Sequence, residues 1–344
     1  MNARSIQTAR ADLFQQLSTS VRHEMPLAEV VRELAADDAW PRRSRAGVLR
    51  MARRLEAGDA LSKVLAGEFS LFAAETAALV QAAEALGPSP LADLLAVLAA
   101  DARRLAAASR SISVTMTWPL TLGMVLLVAL VTCTAYVRPA MQDAFDAMRS
   151  TPPLPFMASA VLDTWWMWLP PVYLVLSLWY LDWLPRAVRS ALESASDRIG
   201  FVGRWRAAWS AGRLLEWLPL CDARPTLRRP VAAYLAATTR SGPARAALRR
   251  LDASFEAGSP LVDALSAPGL LPARMVLLAR LGERSSTLPA VLHDLRRDAG
   301  ENEAFAFARF ERGCVVLFYA LIAWLVATLL IGVYLPIFKI GTLL

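Results

Sequence analysis

The chain has 344 residues, of which 56% are hydrophobic and 19% charged, and its mean hydropathy is +0.39. That is too apolar for an ordinary soluble domain and too charged for a compact polytopic transporter, so soluble segments alternating with membrane spans are expected. The net charge of +7 rests almost wholly on arginine, with Lys63 and Lys339 the only lysines, and the arginines are dispersed rather than gathered on a recognition helix, which argues for membrane orientation and against nucleic acid.

In chain order, the polar stretch Met1 to Arg10 has no apolar h-region, so no cleaved signal peptide is expected and insertion falls to internal spans. Residues 1–110 read as a helical bundle. An amphipathic helix carries Leu13, Phe14, Leu17 and Val21. The segment Leu55-Glu-Ala-Gly-Asp-Ala-Leu61, followed by Leu65, predicts a helix that ends at Gly58 in the left-handed C′ position. A turn follows, then a second helix capped by Asp59 and burying Leu61 and Leu65. An apolar helix ending at Glu84 and another from Leu91 to Arg104 complete the bundle.

Residues 111–137 contain no charge and predict a first span, because a helix needs about 20 apolar residues to cross the hydrocarbon core. Residues 138–160 form a short loop with a Thr151-Pro-Pro-Leu-Pro155 stretch. Residues 161–183 predict a second span, with Trp165, Trp166 and Trp168 at one end and Trp179, Tyr180 and Trp183 at the other, an aromatic belt at each interface. Pro170 and Pro171 lie inside it and predict a packing kink.

Residues 184–311 predict a second bundle, 312–338 a third span, and 339–344 a short tail. Arg103, Arg104 and Arg110 precede the first span, Arg186, Arg189 and Arg198 follow the second, and Arg309 and Arg312 precede the third. The positive-inside rule then places the N-terminus and both bundles in the cytoplasm, with the Pro-rich loop and the C-terminus in the periplasm.

The second bundle repeats the first. Phe255-Glu-Ala-Gly-Ser-Pro-Leu261, followed by Leu265, matches the earlier block, pairing Glu56 with Glu256, Gly58 with Gly258 and Leu61 with Leu261. Here Ser259 is the expected cap. Ala78-Leu-Val-Gln-Ala-Ala-Glu84 parallels Leu277-Leu-Ala-Arg-Leu-Gly-Glu283, and the helix from Leu288 to Arg297 answers the one from Leu91. The counterpart of the first helix lies near Trp209 to Trp217. The fold class is therefore an all-α membrane protein, two homologous cytoplasmic helical bundles plus three transmembrane helices.

This order resembles the F-protein family, the inner-membrane platform of type IV pilus and type II secretion machines. The resemblance spans roughly residues 10 to 340. It rests on Phe14-Gln-Gln-Leu17, on Glu56-Ala-Gly58 with Leu61, on Glu256-Ala-Gly258 with Leu261 and Ala264-Leu265, and on Gly282-Glu283, which is Ala83-Glu84 in the first repeat. The loss of that glycine bears on how closely the first repeat packs its helices there. The resemblance implies a scaffold in the bacterial inner membrane whose partners are a cytoplasmic assembly ATPase, pilin or pseudopilin subunits and other inner-membrane pilus proteins. It also implies a homo-oligomer, a dimer or higher, and the compact length favours the type IVb pilus branch.

No carrier of catalysis is found. There is no G-x-x-x-x-G-K-[ST] loop, no G-x-S-x-G and no H-E-x-x-H, and His23 and His293 read as solvated side chains on charged helices. Cys133 and Cys314 fall in apolar runs and Cys221 stands alone, so neither a disulfide framework nor a metal spacing arises. No catalytic residue, metal or cofactor is expected. The recurring Glu56, Glu84, Glu256 and Glu283 have two readings, helix capping or salt-bridging within each bundle, with Arg53 or Arg280 at hand, or contact with a partner or second protomer. A transporter or channel with regulatory cytoplasmic bundles is the rival function, but no ionisable residue lies deep in a span to carry it.

Overall fold

The computed structural model describes residues 3–132 and 200–343 apart from a few positions, together with residues 136, 139, 143 and 146. The described elements are helical. The first repeat comprises α1 (Ala3–Arg22), α2 (Leu27–Ala36), α3 (Arg42–Glu56), α4 (Leu61–Ala66), α5 (Ala74–Glu84) and α6 (Pro88–Thr132). The second comprises α7 (Gly200–Ala223), a 3₁₀ turn (Pro225–Leu227), α8 (Arg228–Thr238), α9 (Gly242–Glu256), α10 (Leu261–Leu265), α11 (Ala273–Arg284) and α12 (Leu288–Leu343). The correspondence is element by element, α1 with α7 through α6 with α12.

The same local chemistry ends α3 and α9. Gly58 has φ +86° and Gly258 φ +78°. In each case the glycine N–H and the next one turn back onto the helix: Gly58 donates to Leu55 and Asp59 to Arg54, while Gly258 donates to Phe255 and Ser259 to Ser254. A residue with a Cβ is disfavoured in this conformation, which is why glycine stands at both sites.

The expected caps differ from those observed. α4 begins after Ala60 and α10 after Pro260, neither with a side-chain cap. The carboxylate of Asp59 instead accepts from Arg54 Nε at 2.8 Å. The Ser62 N–H near the start of α4 donates to Glu84 at 3.2 Å, so an acid 22 residues downstream does the capping. The intervening Ala60 and Pro260 move Asp59 and Ser259 one place too far from the first turn.

Residues 1–111 and 191–308 make one compact unit. Its core is a single apolar cluster drawn from both repeats, with Leu13, Leu17, Met51, Leu65, Leu79, Leu94, Leu95, Leu98, Leu215 and Trp217 wholly inside. The amphipathic face expected on α1 is buried there, and Phe14 meets Phe72 edge-on with ring centres 5.6 Å apart. α2 packs on α3, and α8 on α9, in the same way. α8 and the 3₁₀ turn also lie against α5, so the second repeat covers the first.

Residues 112–190 and 309–344 form a second unit. Among the described residues, no helix is long and apolar enough to cross a membrane. The expected spans 111–137 and 312–338 fall largely on the C-terminal parts of α6 and α12, where many side chains are outside the described residues. The span 161–183 lies outside them altogether, as does most of the loop 138–160.

Candidate functional site

The strongest polar constellation is one that sequence reading missed, in the compact unit where α6, α7 and α8 meet. The buried face of α6 runs through Leu94, Leu95, Leu98 and Ala102, and Asp101 lies on it with no exposure at all. Arg213, on the stretch of α7 that buries Leu214, Leu215, Trp217 and Leu218, is equally enclosed. The two meet as a bidentate pair, Nε to Oδ1 at 2.6 Å and Nη2 to Oδ2 at 2.7 Å. Arg213 Nη2 also donates to Thr238 Oγ1 at 2.8 Å, and the Tyr234 hydroxyl donates to Asp101 Oδ2 at 2.9 Å. The guanidinium lies over the rings of Trp209 and Tyr234, each 5.6 Å from the ring centre.

Burial alone would drive a proton from Arg213, but the charge and hydrogen bonds of Asp101 outweigh it and hold the guanidinium above its ordinary pKa. Burial, followed by the Asp101 charge, likewise keeps Tyr234 a phenol well past its ordinary range. The group is therefore a fixed ion pair rather than an acid–base device. Both Asp101 oxygens and Arg213 Nε and Nη2 are used, which ties three helices together, while Nη1 is buried without a hydrogen-bond partner.

A second, wetter cluster adjoins it. Arg104 of α6 pairs with Glu216 of α7 at 3.4 Å and with Glu303 of α12. Arg296 of α12 reaches Glu216 at 3.3 Å. Arg104 and Glu303 occupy the space above Gly212, where a Cβ would collide with the Arg104 guanidinium. Together the two clusters fasten α6 of the first repeat to α7, α8 and α12 of the second.

The residues singled out from sequence are not brought together. Glu56 pairs with Arg32 of α2, not with Arg53, and Glu256 pairs with Arg229 of α8 at 2.8 Å. Each thus ties the end of one helix to the helix before it. Glu84 accepts from both the N–H and the hydroxyl of Ser62. Glu283 is exposed and has no partner among the described residues, while the nearby Arg280 reaches Asp263 at 3.5 Å. Val262 stands where the first repeat has Ser62 and offers no hydroxyl to such an acid.

The glycine of Gly282-Glu283 has a packing cause. A Cβ there would lie 2.9 Å from Val291 Cγ2 on α12, closer than packed carbons approach. Its counterpart Ala83 fits in the first repeat, fully buried.

His23 and His293 are exposed, and His293 lies 3.9 Å from Asp294. Cys221 is enclosed and its thiol is pushed up to about 12 by burial, which makes it unreactive.

The signal that could have revealed the buried pair was positional. Asp101 falls three residues after Leu98 and seven after Leu94, on the apolar stripe of its own helix. A family model described as type II secretion system (T2SS), protein F, matches residues 13–139 and 231–336, about two thirds of the chain. No curated protein matches the sequence.

Proposed function

The chain belongs to the type II secretion system protein F family, and from that membership we propose that it is the inner-membrane platform of a type IV pilus or type II secretion machine. In this reading it couples a cytoplasmic assembly ATPase to the polymerisation of pilin or pseudopilin subunits. The observation that carries it is the duplicated match, one stretch in each repeat. Its role is structural rather than catalytic, and the type IVb pilus branch is the narrower form of the proposal.

The membrane part of the reading assigns 111–137, 161–183 and 312–338 to three spans. The bundles 1–110 and 184–311 are then cytoplasmic and the C-terminus periplasmic. Support comes from the large apolar side chains left exposed on the relevant helices: Met124, Val125 and Val128 on α6, and Val316, Tyr319 and Val326 on α12. In water such a run would be an aggregation liability; in lipid it is the required surface.

The mechanical part is supported by the buried Asp101–Arg213 pair, which lets the two repeats move as one body when an ATPase pushes on either. Of the four repeated glutamates, Glu283 is the candidate partner contact, because the other three are engaged within their own bundles.

Deleting the gene tests the function. Surface filaments, or secretion through the cognate machine, should be lost while the pilin or pseudopilin is still made and processed, and the wild-type gene should restore them. Normal filaments and secretion in the deletion strain would overturn the platform reading.

A further inference from the structure

We propose that the outer face of α11 is a docking surface for an acidic amphipathic helix of a partner protein. The face is defined by Leu277, Leu278 and Leu281, which are 59%, 45% and 52% exposed. They are spaced to share one stripe of the helix, and Arg274 and Arg284 close that stripe at its two ends. α11 already buries a different set, Met275, Ala279 and Gly282, against its own bundle. The exposed leucines are thus a second apolar face, not a poorly packed first one. Three half-exposed leucines on one stripe leave apolar surface in water that a partner would cover, so the stripe has a use.

The nature of the occupant follows from the repeat. The counterpart helix α5 has Leu79, where α11 has Leu278, wholly buried, and what lies against α5 is a helix, α8. The same position in the second repeat is left open to an equivalent visitor. A recess of about 450 Å³ between α10 and α11, lined in part by Leu271, Val276, Leu277 and Arg280, adjoins the stripe and can take a bulky apolar side chain.

The charge decides which helix fits. Arg274 and Arg284 have no carboxylate partner among the described residues, and Arg280 holds Asp263 only at 3.5 Å across an exposed gap. A helix with apolar residues at i, i+3, i+4 and i+7 and Asp or Glu at its flanks satisfies both the leucines and the arginines. The helix that internal symmetry would offer from a second copy is α2, and it does not fit. Where α8 buries Ala232 and Ala236, α2 exposes Arg32, already held by Glu56, and Ala36, so α2 offers no apolar counterpart at that position. The partner is therefore a different protein.

The test places the photo-crosslinking residue p-benzoylphenylalanine at Leu278 of the full-length protein in its own cells and maps the adduct by mass spectrometry. The expected adduct lies on a segment of another protein with apolar residues at helical spacing and flanking Asp or Glu. Arg274→Glu with Arg284→Glu should lower its yield by about tenfold. Reversing one acid on the mapped segment to Arg should restore it. Both arginines are exposed, so the double variant should keep the wild-type melting profile, which separates lost docking from lost folding. Adducts confined to lipid or to a second copy, an absence of adduct, or a yield indifferent to the charge reversal would each overturn the proposal. None of these outcomes bears on the filament phenotype of the deletion strain, so this inference can fail while the platform reading stands.

Discussion

Helices α5 and α11 occupy the same place in the two repeats and follow corresponding short helices, yet the leucine they share on the outer face is buried in one and exposed in the other. Leu79 of α5 has no exposure, whereas its counterpart Leu278 of α11 is 45% exposed. The residue is leucine in both repeats, so its identity does not account for this. The difference is made elsewhere, by α8, which covers α5 and is itself held by the buried Asp101–Arg213–Tyr234 group. A contact between unlike faces of two repeats can satisfy only one member of each pair, and it leaves the reciprocal pair open. Duplication followed by one such contact thus yields a rigid body and a free apolar face from the same fold.

The comparison breaks most severely if α8 is released. Arg213→Met leaves the Asp101 carboxylate buried without its counter-charge and should cost about 3–5 kcal/mol. Hydrogen exchange in the full-length protein should then show α5 losing protection towards the level of α11, with α11 unchanged. The double variant Asp101→Leu/Arg213→Met removes both charges and should recover most of the loss. Protection of α5 that survives the single variant would show that apolar packing alone holds α8 in place.

A smaller effect probes the inner faces of the two helices. Gly282→Ala forces a methyl to within 2.9 Å of Val291 and should destabilise by about 1–3 kcal/mol. Ala83→Gly in the first repeat only loosens a helix that already accepts the methyl, and should cost about 0.5–1 kcal/mol. Denaturant midpoints of the two variants in detergent check the order. Equal losses would mean that the two helix pairs approach equally closely.

What the sequence made readable was local or periodic. The turn glycines and the apolar faces of α1, α4 and α10 follow from backbone conformation and from residues a few places apart, and the doubled order of motifs was enough to suggest the family. What stayed hidden depends on residues far apart in the chain. Asp101 and Arg213 are 112 positions apart, and nothing near either names the other. The cap of α4 was assigned to Asp59 because it is adjacent, while the group that does the work is Glu84. The fusion of both repeats into one core was hidden for the same reason, since each bundle shows a plausible apolar face of its own whether or not the other covers it.

The finest difference is carried by the matched glutamates near the ends of α5 and α11. Glu84 accepts from the Ser62 N–H at 3.2 Å and from its hydroxyl, so Glu84→Gln weakens a charge-assisted bond at the start of α4 and should cost about 1 kcal/mol. Glu283 is exposed and has no partner among the described residues, so Glu283→Gln should leave stability unchanged within about 0.5 kcal/mol. If Glu283 serves a partner instead, Glu283→Arg should weaken copurification of the assembly ATPase while the denaturant midpoint stays put. Unchanged copurification would return Glu283 to a solvated surface acid. A stability loss equal to that of Glu84→Gln would show that the second repeat caps α10 after all, and that the substitution of Val262 for serine had not freed the acid. The pair of measurements separates a residue kept for its fold from its duplicate released for another task.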